Sequence, residues 1–192
     1  MTTPDLGSLQ LLPLTAAGVE APSSQTAGLV AAPVAAAVSG WTGGPLSVAP
    51  IDPALSDTAA FCAEYTVPLS ASANCVVVTG RRDGVQRWAA VVVLATTRAD
   101  VNGVVRRRLD VRKVSFAPMA DAVELTGMEY GGITPFGLPD GWLLLVDQAV
   151  VDAGPVVVGS GIRASKIVVA GADLALLPGA EVIQGLARPV AD

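Results

Sequence analysis

Two apolar runs, CVVVT (75–79) and RWAAVVVLA (87–95), flank the polar stretch GRRDGVQ near the middle of the chain. Their β-branched content predicts strands, and the Asp83-Gly84 pair is a tight-turn signal, so an antiparallel hairpin is expected. The period then changes. In RADVNGVVRRRLDVRK, Val101, Val104, Val105 and Leu109 recur near i, i+3, i+4 and i+8, which predicts an amphipathic helix capped by Asp100 with Arg106, Arg107 and Arg108 outside. Pro118 opens a second short helix, PMADAVELTG, which Gly127 can close through a left-handed cap. The apolar stretches WLLLVD (142–147), PVVVG (155–159), KIVVAG (166–171) and AEVI (180–183) predict further short strands.

Upstream, SLQLLPL (8–14) predicts a short strand and LVAAPVAAAV (29–38) a short helix; both are too apolar for a disordered tail. The Gly- and Pro-punctuated segment 41–53 predicts a connecting loop, after which Asp57 offers an N-cap to the helix TAAFCAEY, ending before Pro68. The order of elements lacks a steady βαβα alternation, so an α+β domain around a largely antiparallel or mixed sheet is favoured. We divide the chain into an Ala/Pro-rich N-terminal extension packed on the domain, 1–53, and the main domain, 54–192.

Composition is 52% hydrophobic, but the longest apolar run is far short of the ~20 residues a spanning helix needs. With no Lys or Arg before residue 81, the N-terminus lacks the basic region of a secretory signal, and a cytoplasmic, membrane-free protein is expected. Cys62 and Cys75 are too few for a disulfide framework. The absence of histidine excludes histidine-based triads, HExxH zinc sites and histidine proton shuttles. Net charge is −5, yet residues 81–113 hold nine Lys or Arg against Asp83, Asp100 and Asp110, a local balance of +6. Such a cluster can attract phosphates even on an acidic protein, although a solvated helix face has the same pattern.

Two glycine-rich stretches differ in kind. GSGIRA (159–164) fits G-x-G-x-x-A, but the strand-like SKIVVAG that follows leaves no room for the helix a dinucleotide site requires, so a turn between strands is expected. TGMEYGGITPFGLP (126–139) carries four glycines and two prolines with almost no charge. Glycines at 127, 131, 132 and 137 permit close backbone approach, while Pro135 and Pro139 restrict the chain, so the loop can hold N–H groups rigidly, as an oxyanion requires. A surface turn without chemistry is the alternative.

The run ELTGMEYGGITPFGLP, with the strand LLLVD after it, resembles the signature of the YbaK/EbsC and prolyl-tRNA synthetase-associated editing-domain family over residues 57–187. SANCVVV resembles the strand carrying that family's active-site lysine, and DVNGVVRRRLDVRKVSFA its Asp-containing segment. The resemblance implies an α+β fold with a mixed, barrel-like sheet surrounded by helices, and hydrolysis of the ester joining a wrong amino acid to tRNA, with no metal and no cofactor. It implies loop contacts to the aminoacyl ester from Gly131, Gly132, Ile133 and Thr134, a polar role for Asp147, and a small-residue turn at Ser160 and Gly161.

One departure stands out. Asn74 occupies the position of the family lysine; no lysine occurs before Lys113, and Arg81 and Arg82 lie beyond the strand. Asparagine can donate hydrogen bonds but lacks an ammonium. Cys75, with no histidine to activate it, is expected to turn into the core.

The site expected from the sequence thus comprises Asn74, Gly131, Gly132, Ile133 and Asp147 for the reaction, Tyr130, Thr134, Pro135, Phe136, Ser160 and Gly161 around a small apolar substrate, and Arg106, Arg107, Arg108, Arg112 and Lys113 on tRNA. The expected partner is aminoacyl-tRNA charged with a small amino acid such as Ala, Cys or Ser, with an aminoacyl-tRNA synthetase as a further partner. Two other readings are a binding module that lost hydrolysis with the lysine, and a homodimer or complex formed through the N-terminal arm.

Overall fold

The computed structural model describes residues 6–16, 18–19 and 28–190; residues 1–5, 17, 20–27 and 191–192 lie outside it. The chain opens with β1 (Leu12–Thr15), β2 (Gly18–Val19), α1 (Ala32–Ser39) and β3 (Leu46–Pro50). After α2 (Thr58–Glu64) the predicted hairpin follows as β4 (Ala73–Arg82) and β5 (Val85–Leu94), with Asp83 and Gly84 both at positive φ in the two-residue turn. Next are β6 (Thr97–Ala99), a π-helical turn Val101–Val105 running into α3 (Arg106–Arg108), β7 (Val114–Phe116) and α4 (Met119–Thr126). The chain finishes with β8 (Leu143–Asp147), α5 (Gln148–Asp152), β9 (Pro155–Gly159), β10 (Ser165–Ala170), β11 (Ala180–Ile183) and β12 (Ala187–Pro189).

Ten of these strands build two five-stranded sheets, and β12 pairs with β6 in a separate antiparallel ribbon. The first, ordered β2-β1-β3-β10-β9, is antiparallel throughout; the second, β11-β8-β5-β4-β7, is mixed, with β8 parallel to both β11 and β5. The main core lies between them. Val48, Val156, Val158, Ile167 and Val169 of the first sheet belong to one buried cluster with Ala90, Val92, Leu144 and Val146 of the second, and α1 adds Val34 and Val38. Each buried Val, Leu or Ile contributes roughly 1.5–3 kcal/mol by leaving water. The outer faces are covered too. Phe61 and Cys62 of α2 cluster with Val157 and Val168, while Val105 and Leu109 cluster with Val78, Val91 and Leu145. Both faces of each sheet are therefore apolar, which explains the near-continuous Val runs.

The α+β class holds, with three corrections. The sheet does not close into a barrel: among the described residues the two sheets are joined at their seam by one isolated bridge, Ser72 to Val157. Segment 41–53 is not a plain loop, because Leu46 and Val48 point into the core and place β3 between β1 and β10. Its flanking Gly and Pro residues mark the ends of a central strand. The basic helix is wider and shorter than its period suggests. Asp100 accepts from the N–H groups of Gly103 (3.1 Å) and Val104 (3.4 Å), and a Cβ on Gly103 would lie 2.2 Å from that carboxylate. Glycine lets the first turn wrap around its own cap.

Candidate active site at the seam of the two sheets

β7 pairs with β4 only over Val78–Gly80, while β9 meets the same edge further back at the Ser72–Val157 bridge. A cavity of about 400 Å³ occupies the gap. Asn74 and Cys75 of β4 line one wall, and Asp57, Thr58 and Phe61 from the start of α2 another. Gly159 and Lys166 enter from the first sheet, Gly131 and Ile133 from the glycine-rich loop. Phe116, Met119 and Tyr130 form the mouth, each more than half exposed.

Asn74 is oriented. Thr58 Oγ1 donates to its Oδ1 at 2.7 Å, which leaves both side-chain N–H donors and one lone pair of Oδ1 for other partners. Cys75 is not a nucleophile in this setting, since burial pushes its thiol up to about 12, far from the thiolate form.

The glycine-rich loop is fixed by backbone contacts to the β9–β10 turn. Gly127, at φ +64°, ends α4 with its N–H on Val123 O. The Glu129 N–H then donates to Gly161 O, and the Gly161 N–H to Gly132 O, both at 2.8 Å. A Cβ on Gly132 would lie 2.6 Å from the Ile162 backbone, and one on Gly159 2.4 Å from Gly132 O, so only hydrogen fits at this crossing. Glu129 also accepts from the Arg163 N–H at 2.7 Å, while the Arg163 guanidinium donates to Pro53 O and Tyr130 O. The loop is clamped on both sides.

Of the residues expected around the substrate, Asn74, Tyr130, Gly131 and Ile133 line the cavity. The others stand behind it. The Gly132 N–H closes a turn onto Glu129 O at 2.9 Å. Thr134, Pro135 and Phe136 are buried, and Phe136 packs edge-on against Trp41 with ring centroids 5.3 Å apart. Ser160 donates to Ser165 O and accepts from Ser165 Oγ, bracing the turn in which Gly161 takes φ +84°. Asp147 is buried where β8 runs into α5 and lies outside the cavity wall. Burial raises its pKa, against the opposing pull of the Ala149, Ala187 and Gln148 amides.

The basic segment is exposed and leads into β7, whose last residue, Phe116, stands at the cavity mouth. Arg108 pairs with Glu181; among the described residues Arg106, Arg107, Arg112 and Lys113 form no ion pair.

Comparison with known families matches residues 52–177 to the aminoacyl-tRNA editing domain. The chain belongs to that family. Among solved structures, the editing domain here is similar to the hypothetical protein APE2540 at 24% identity, with a TM-score of 0.61 over 72% of this chain and 86% of that one. It is also similar to a proposed trans-editing enzyme for prolyl-tRNA synthetase at 19% identity, with a TM-score of 0.63 over 72% and 85%. At these identities the likeness shows the fold. No curated protein matches. Among the described residues no helix is long and apolar enough to cross a membrane.

One lining residue of the editing domain went unnoticed in the sequence. Lys166, on β10, is 9% exposed, with Nζ donating to Ser56 O at 2.9 Å and lying 5.4 Å from the centroid of Phe61. Its pKa is lowered, first by burial and then by Arg163, with Asp57 and Cys62 pulling the other way. The available signal was a lysine heading the apolar run KIVVA, in a strand buried on both faces.

Proposed function

We propose that the protein is a trans-acting aminoacyl-tRNA deacylase that clears a small amino acid, such as Ala, Cys or Ser, from mischarged tRNA. The observation that carries this reading is the seam cavity: about 400 Å³, with donors on its walls and exposed aromatics at its mouth, within a domain of the editing family. That volume suits an aminoacyl group and its ribose and little more. Phe116 and Tyr130 offer ring faces on which the terminal adenine stacks. Inside, Asn74 donates to the ester or ribose oxygen. Water attacks the carbonyl carbon and the electron pair moves onto the carbonyl oxygen. The intermediate then collapses with cleavage of the bond to the ribose oxygen, which takes a proton from the attacking water and leaves as a hydroxyl, freeing the amino acid. Gly132 and Asp147 act from behind the wall, by holding the loop and the end of β8.

A second reading is a binding module without turnover, favoured by the neutral Asn74. Release of free amino acid from Ala-, Cys- and Ser-tRNA by the native protein and by Asn74→Lys, against a protein-free control, separates the two. Turnover by the native protein supports the deacylase. Turnover by Asn74→Lys alone makes the native chain a binder, and silence from both removes the deacylase reading.

A further inference from the structure

Among the described residues, Lys166 and Asp57 are the only charged side chains lining the cavity; they come from different elements, β10 and the start of α2, and are not ion-paired to each other. A buried ammonium without an ion pair is costly, and proteins keep one where something else meets it. Lys166 spends one donor on Ser56 O. Beside it, the buried Ser56 hydroxyl has no hydrogen-bond partner, although Ser56 lines the same cavity. Asp57 sits at the N-cap of α2 without bonding the helix, and is exposed. An ammonium and an orphan hydroxyl inside, with a free carboxylate nearer solvent, complement a group that carries a positive end and an oxygen that gains negative charge.

Building on the deacylase reading, we infer that Lys166 receives the carbonyl oxygen of the aminoacyl ester as it becomes an oxyanion, while Asp57 receives the substrate's α-ammonium. The cation of this site thus enters from β10, and Asn74 on β4 need not carry it. Two consequences distinguish this from a structural lysine. The charge is transferable between strands, since both residues line one cavity. Free α-amino esters are preferred over N-acylated ones, because acylation removes the positive end.

The test is single-turnover deacylation of Ala-tRNA and N-acetyl-Ala-tRNA by the native protein, Lys166→Met, Asp57→Asn and the relocation variant Asn74→Lys/Lys166→Met, each checked for folding by thermal melting. Loss of a donor to the oxyanion is expected to lower the saturating rate about 10²-fold in Lys166→Met, with most of it restored by relocation. Asp57→Asn is expected to weaken Ala-tRNA alone and to erase the preference against the acetylated substrate. A folded Lys166→Met within twofold of native overturns the inference and leaves the deacylase standing. If the native protein hydrolyses no charged tRNA, the deacylase and the oxyanion role of Lys166 fall together, and binding of the non-hydrolysable 3′-alanylamido-adenosine decides the Asp57 half of the assignment. Tenfold weaker binding by Asp57→Asn upholds that half, and equal or absent binding overturns it.

Discussion

Thr58 holds Asn74 from the first turn of α2 by a 2.7 Å hydrogen bond, Oγ1 to Oδ1, so the amide at the cavity wall is turned by a residue of a different element. Removing the hydroxyl in Thr58→Val frees that amide to rotate. A hydrogen bond of this kind is worth about 1 kcal/mol net, so deacylation should fall roughly three- to tenfold while the fold persists. Asn74→Ala should fall further. Saturating rates on one charged tRNA check the order native, Thr58→Val, Asn74→Ala, and an unchanged rate in Asn74→Ala removes that residue from the mechanism.

Lys166 gives stability a defined pH dependence. Its folded pKa lies below the ordinary 10.5, so between the two values the unfolded chain binds more protons and stability rises with pH. The cost of burying the charge is present in full below the folded pKa. Lys166→Met is therefore expected to be more stable than the native protein at pH 7, by roughly 2–5 °C in Tm, with the advantage narrowing towards pH 10. Asp57, Arg163 and Cys62 face the ammonium and remain in both proteins, so a comparison at matched pH isolates Lys166. A Tm difference that widens with pH contradicts the expected sign.

The hairpin, the late strands and the α4 cap were legible because each rests on local chemistry: β-branched runs, Asp83-Gly84, and Gly127 just after its helix. The site was only half legible. Asn74 and the loop could be found on a short continuous stretch, but the cavity is made where β4 passes β9, and nothing local tells that Lys166 reaches the place where Asn74 stands. β3 was hidden for a similar reason: five residues between Gly and Pro look like a linker until β1 and β10 pair on either side. Thr134, Pro135 and Phe136 carry the loop's signature, yet they turn inward to anchor it.

Gly132 should prove intolerant of any side chain. Gly132→Ala places a Cβ 2.6 Å from the Ile162 backbone, so the loop must lift off the β9–β10 turn and strain or lose the 2.8 Å bond from the Gly161 N–H. Overpacking of this kind costs about 1–3 kcal/mol. Because the displaced segment bears Gly131 and Ile133, activity is expected to fall more than stability does. Urea unfolding and deacylation measured on the same preparation check both halves. A variant destabilised but fully active would separate the loop from the reaction.

On the deacylase reading, the basic segment is the surface expected to meet the rest of the tRNA. Arg106, Arg107, Arg112 and Lys113 are exposed without ion pairs among the described residues, whereas Arg108 is engaged by Glu181 and Arg87 by Asp110. Free cations release counterions when they meet phosphates, so each contact adds about 0.7–0.9 to the slope of log affinity against log salt. Replacing the four free residues by Ala should flatten the salt dependence of kcat/KM by about 3 while leaving the saturating rate near native, since none of them lines the cavity. Arg108→Ala should change the slope far less, because its charge is already partly neutralised. If the fourfold variant keeps the native slope, the acceptor stem lies over another face, and the segment is a solvated edge of the domain.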